Sequence, residues 1–336
     1  MANADGAATE RPRRLAVPQR LRGVGQTYGA LIALLLLLLF NVLFTRNFLS
    51  LQTLYINLTQ VGTIVIVAVG MTLVIATGGI DLSVGSLMAI AGALAPLIFL
   101  GTLPLFGEAL VGNTAVAVLV SILVAGLFGL FNGTLVTTFR IQPIIATLVL
   151  YIAGRGIAQV MTNGNLQTFR QPDFQYLGSG RPLGIPFQSI LMLLVVGIAA
   201  WVMRVTRFGR YVLATGGNER AARLAGVPVD RVKRTAYVVS GLLAGVAGLI
   251  VIAINASSDA NQVGRNMELD AIAAVAVGGT PLTGGRATII GTLLGALIIQ
   301  LIRFTLLSKG VPFAVALVIN AIIILLAVYV QRQRQS

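Results

Sequence analysis

Few side chains in this sequence could do chemistry, and the types that are missing narrow what is open. No His and no Cys occur among the 336 residues. Imidazole relays, Ser-His-Asp triads, disulfides and structural zinc sites are therefore excluded, and no metal site is expected. Lys233 and Lys309 are the only lysines, and neither follows a Gly in a phosphate-loop pattern, so the chain carries no Walker A site. Among the acids, Asp81, Glu268 and Asp270 fall in or beside apolar stretches. A carboxylate there is expensive and defaults to a functional reading. Asp81 belongs to Gly78-Gly79-Ile80-Asp81-Leu82-Ser83, which interrupts the apolar run Gly70 to Gly92. A variant of that break, GGTPLTGG with Thr280 near its start, spans Gly278 to Gly285. Interrupted apolar segments in both halves of a chain are the pattern of a transport path, where freed backbone and a few polar groups can serve a solute.

Each of these residues has two readings. Asp81 or Ser83 can cap the amides that open the next helix, or contact a substrate or gate. Glu268 and Asp270 open a short helix, where carboxylates suit the positive end and Arg265 can pair with them. Alternatively they meet another protein or line a pore exit. Asn132, Gln142, Thr147, Arg155, Gln159, Gln300 and Arg303 lie in or at apolar runs. Such groups often bond a neighbouring helix, yet Asn, Gln and Thr also suit a path for a sugar. Arg155 and Gln159 share a helix face, being four apart, unless Arg155 snorkels outward.

The elements that must position these groups are membrane helices. With 57% hydrophobic and 10% charged residues, the chain is too apolar for a soluble domain of its length. The expected fold is all-α and polytopic, with about ten spans near 27–45, 61–77, 84–106, 112–138, 143–161, 189–206, 235–255, 268–279, 288–307 and 312–330. Residues 46–60 read as an amphipathic surface segment and 162–188 as a polar outer loop. Residues 1–24 read as a disordered cytoplasmic tail without a signal-peptide cleavage site, 25–331 as one transmembrane domain, and 332–336 as a second cytoplasmic tail. The net charge of +14 is read as topology rather than nucleic-acid binding. With both termini inside, every basic residue except Arg46, Arg155, Arg170, Arg181, Arg265, Arg303 and Lys309 falls on the cytoplasmic side.

The most charged segment, 204–234, contains ATGGNERAARLAGVPVDRVK. Asn218 caps a short helix, Glu219 to Ala225; Gly226 stops it and Pro228 follows. A plain basic anchor needs no such cap and stop around Ala221, Ala222 and Ala225. Small residues favour close docking of a partner, so Gly216, Gly217, Asn218, Glu219, Ala221, Ala222, Leu224, Ala225 and Gly226, within loop 207–234, are the candidate coupling segment.

GMTLVIATGGIDLSVG, NERAARLAGVPVDRVK and ELDAIAAVAVGGTPLTGGR together resemble the ribose/xylose/galactoside branch of bacterial ABC importer permeases, over about Asn47 to Val330. Ser258-Asp259-Ala260-Asn261 and Arg140-Ile141-Gln142-Pro143 are similar to its galactofuranose type. The resemblance implies an inner-membrane permease that pairs with a second permease subunit. It also implies an ATPase subunit, holding ATP and Mg, that docks on the 204–234 loop, and a periplasmic sugar-binding protein that delivers the monosaccharide. The permease itself is then not an enzyme and needs no cofactor. The competing class is an ion-coupled carrier of a small polar solute, which wants a chain of buried acids. A membrane transferase wants an acidic metal-phosphate pair, and none is present.

Overall fold

A computed structural model describes residues 19–102, 112–319, 321–323 and 325. Most of the expected tail therefore lies outside the described residues, as do 103–106 of the expected third span, 320, 324 and 326–330 of the tenth, and 332–336. Helix α1 (Gln19–Phe44) begins inside the segment read as tail. Its backbone ladder continues from the apolar run into the preceding turns.

The core is built on α2 (Leu51–Ala76), α3 (Val84–Phe99) and α10 (Val229–Asn255). Residues 61–76 of α2 and all of α3 are buried. Helices that are apolar all round belong inside a bundle. Residues 51–60 are the first turns of α2 rather than a separate surface segment, because Ser50 caps the helix, its Oγ accepting the Thr53 N–H at 3.2 Å. Around this core stand α4 (Thr114–Thr137), α5 (Pro143–Met161) and α7 (Phe187–Val205). They keep many apolar side chains exposed, such as Leu127, Ile152 and Leu193. Among the described residues, six helices are long and apolar enough to cross a membrane: α2, α4, α5, α7, α10 and the later α12 (Ile289–Ser308).

Close backbone approach fixes the packing of α4 on α10. A methyl group on Gly129 would overlap the Tyr237 carbonyl, and one on Gly241 the Ala125 carbonyl. Small residues at such crossings let dispersion and weak polar contacts act without a hydrophobic driving force.

Among the described residues, the fold departs from all-α at one place. β1 (Gln167–Thr168) pairs antiparallel with β2 (Ser257–Ser258). The outer loop also contains the short helix α6 (Pro172–Ser179). Both segments are extended and polar, and pairing them satisfies backbone groups beside the apolar cluster of Phe99, Phe169 and Phe174, whose rings lie 5.1–5.5 Å apart. After β2 the chain turns back into the bundle. Gly264 packs against Gly85 and Met88, the level at which Gly248 of α10 also meets Met88. It has re-entered by about 10 Å, the rise of seven helical residues. Helix α11 (Met267–Val277) starts there and is only 11 residues long.

Candidate functional site

The two breaks have the same backbone design. At the end of α2, Gly78 N–H donates to the Ile75 carbonyl at 2.8 Å and Gly79 N–H to the Val74 carbonyl at 3.1 Å, with Gly78 at φ 84°. At the end of α11, Gly279 N–H donates to Ala276 at 3.0 Å and Thr280 N–H to Val275 at 3.2 Å, with Gly279 at φ 87°. Both are Schellman stops, which need a left-handed residue that only Gly adopts freely. Gly78 is thus equivalent to Gly279, one position off the alignment that the two GG pairs suggest.

Past the first stop, polar groups converge on Asp81, which is fully buried. Its Oδ1 accepts the Ser83 N–H at 3.0 Å and the Ser83 hydroxyl at 2.6 Å, and its Oδ2 accepts the Ser240 hydroxyl at 2.8 Å. Asn132 Nδ2 donates to Ser83 Oγ at 2.8 Å. Thr147 Oγ1 donates to the Ile80 carbonyl at 3.3 Å, and the Tyr237 hydroxyl lies against Gly79. Asp81, Ser83 and Asn132 are therefore brought together, and Ser240 and Tyr237 of α10 join them. Neither candidate caps α3 by side chain in the expected way. Ser83 holds the N-cap place but has helical dihedrals and makes no side-chain cap bond. Asp81 reaches only the Ser83 amide and otherwise ties the break to α10. Ser240 and Tyr237 were legible only as polar groups in the run YVVSG; nothing in sequence pointed them at residue 81.

The second break is braced differently. Thr280, also fully buried, accepts the Thr288 N–H at 3.0 Å, and Thr288 Oγ1 donates to the Gly278 carbonyl at 2.9 Å. A Thr72–Thr292 hydroxyl contact of 2.8 Å joins α2 to α12.

The acids of α11 form a separate group. Asp270 pairs with Arg303 of α12, not with Arg265: both carboxylate oxygens lie 2.6 Å from one guanidinium nitrogen. The reason is register, since Arg303 faces α11 from a packed helix while Arg265 lies before its first turn. Glu268 is 4% exposed and its Oε2 has no hydrogen-bond partner; it faces Gly85. Arg155 does not snorkel. It donates to the carbonyls of Val263 at 2.5 Å and Ala260 at 2.8 Å, holding the re-entrant stretch. Gln159 on the same face donates to Asn261 Oδ1 at 2.6 Å. Gln142 is exposed at the start of α5 and joins none of these groups.

The charged loop forms α8 (Arg207–Gly217) and α9 (Glu219–Leu224). Asn218 Oδ1 accepts the Ala221 N–H at 3.0 Å. Gly226, at φ 79°, closes a third Schellman stop through Arg223 and Ala222. Ala222 is buried, Ala221 and Ala225 are exposed, and Leu224 is 91% exposed, so the small apolar face points outward. Arg223 bridges Glu219 at 2.9 Å and Asp230 at 2.5 Å, and Lys233 reaches Glu219 at 2.6 Å, fastening α9 to the root of α10. Burial pushes the Glu219 carboxyl up, but hydrogen bonds from Lys233 and Arg223 outweigh it and hold it below the usual range. The Arg223 hydrogen bonds hold Asp230 low against a smaller push from burial. Because both folded values are depressed, their stabilisation is full above the unfolded values near about pH 4 and is lost as pH falls through the lowered ones. Amide exchange across 219–230, corrected for intrinsic rate, is expected to accelerate in that acid window. The effect is modest, because exposed pairs contribute at most about 1 kcal/mol each.

The structure is thus a helical bundle with two interrupted helices of the same backbone design and an exposed, capped helix beside them. The family model described as "Branched-chain amino acid transport system / permease component" matches residues 53–330, and the chain belongs to that family. It is a transport component rather than an enzyme. Among curated relatives, the ribose import permease protein RbsC of Escherichia coli K12 is 42% identical over 91% of this chain and 94% of its own. The galactofuranose transporter permease protein YtfT of the same strain is 43% identical over 82% and 79%. The fructose import permease protein FruF of Bifidobacterium longum is 34% identical over 84% and 81%. No solved structure matches the chain.

Proposed function

We propose that this chain is the membrane-spanning subunit of an ABC importer that passes a monosaccharide, with ATP and Mg held by a separate ATPase subunit. The observation that carries this is the outward-facing α9, capped at Asn218, stopped at Gly226 and fastened to α10 by Arg223 and Lys233. A helix held rigidly at its base with Ala221, Leu224 and Ala225 free suits insertion into a partner's groove. The relatives are named for ribose, galactofuranose and fructose import, so a pentose or hexose is the proposed cargo.

Ten spans are proposed: the six long helices, the shorter α1, α3 and α11, and the apolar helical stretch that opens at Phe313. Both termini and the α8–α9 loop then lie in the cytoplasm of a bacterial inner membrane, by the distribution of basic residues. A second permease subunit and a periplasmic sugar-binding protein complete the assembly. Asp81, Ser83 and Asn132 act in this reading as a brace for the first break rather than as sugar ligands.

The test is reconstitution in liposomes with the ATPase and binding protein. Sugar uptake is expected only with ATP and the ATPase present; uptake driven by an ion gradient alone would sink the proposal. Ala221→Arg is expected to prevent co-purification of the ATPase while leaving membrane insertion intact, because the added charge meets the docking face directly.

A further inference from the structure

Three stretches far apart in sequence meet backbone to backbone beneath the charged loop. The Gly285 N–H donates to the carbonyl of Ala76, the last residue of α2, at 3.1 Å. Gly216, near the end of α8, lies so close to both that a methyl group there would overlap the Ala76 carbonyl oxygen and press on the Gly285 nitrogen. A methyl on Gly285 would stand 3.0 Å from Gly217 Cα, and one on Gly284 2.8 Å from the Gly78 nitrogen. No side chain intervenes, so the end of α8 touches the first Schellman stop at Ala76 and, at Gly285, the far end of the second break. Contacts of this kind transmit displacement stiffly, since packed backbone has no rotamers to absorb it.

We infer that Gly216 and Gly285 form the contact through which motion of the α8–α9 segment reaches both helix breaks together, an inference that rests on the importer reading above. They are positioning residues for transport: they act through the end of α2 and through the Gly278–Gly285 loop that follows α11. The two breaks are equivalent in design, and one partner segment set against both would move them as a pair.

The experiment uses the complete importer in liposomes and reads sugars imported per ATP hydrolysed. Gly216→Ala and Gly285→Ala are each expected to lower this ratio by about tenfold, within the range of site-to-site coupling. The double variant is expected to fall no further than the worse single, because both remove one contact. Gly197→Ala on α7, where a methyl meets nothing within 4 Å, is expected to keep the wild-type ratio. An unchanged ratio in Gly216→Ala, or full additivity in the double, would overturn the inference. Wild-type complex also serves if these variants do not assemble. On adding a non-hydrolysable ATP analogue, amide protection over 75–79, 214–217 and 284–285 is expected to change together, and a change confined to 214–217 would overturn it. Wild-type permease that binds no ATPase would instead overturn the importer reading itself.

Discussion

Asp81→Ala is expected to remove most folded permease from the membrane, while Asp81→Asn is expected to keep it. The carboxylate accepts from one amide and two hydroxyls in a site closed to solvent. Alanine leaves the Ser83 N–H without an acceptor and frees Ser83 and Ser240 to seek others. A buried donor left unmade costs about 1–3 kcal/mol, so about 3 kcal/mol in total is a fair expectation. Asparagine keeps one acceptor oxygen for Ser83 and can donate its amide to the Ser240 oxygen. Membrane level and thermal unfolding in detergent measure the first effect, and uptake measures the second. A well-folded Asp81→Asn permease without uptake would show that the charge, not the brace, is what transport needs.

Asp270→Ala is the second large effect. It leaves the Arg303 guanidinium, whose side chain is 17% exposed, facing an apolar gap between α11 and α12. Breaking a buried pair on one side costs about 3–5 kcal/mol, because the remaining charge is uncompensated. Replacing both partners with apolar residues, Asp270→Leu with Arg303→Met, is expected to return within about 1 kcal/mol of the wild type by the same argument. Unfolding in mixed detergent ranks the three proteins. Equal, small losses in all of them would mean that water reaches the pair and screens it.

What could be read from sequence was whatever is local. The α5 bounds, Pro143–Met161, coincide with the expected run because Gln142-Pro143 starts it and a polar Thr162 ends it. The α9 cap and stop were legible because Asn218, Gly226 and Pro228 each act on backbone within a few residues. The breaks were legible as Gly pairs, but their true equivalence was not. It depends on which Gly adopts positive φ, and only the hydrogen bonds reveal that. Partners across the bundle were out of reach for a different reason. Ser240 lies 159 residues from Asp81, and Arg303 lies 33 from Asp270. Nothing in helical periodicity orients one helix about its axis relative to another, so sequence alone offers Arg265, near in the chain, as the mate. The β1–β2 ladder was invisible because two-residue strands leave no alternation to detect.

Helix α10 begins at Val229 beside α9 and ends at Asn255 beside β2 without a break. At 27 residues it is a rod of about 40 Å. Its root is gripped by the Lys233–Glu219 pair and its tip leads into the ladder that holds the outer loop. Such a rod is a lever: a tilt of about 3° at the root carries the tip sideways by about 2 Å, the size of shift that lets packed helices exchange one seating for another. Moving as a rigid rod, α10 would tie the two ends of the bundle together along this line, so that a push at Asp230 would carry to Ser257 without any change in the helix itself.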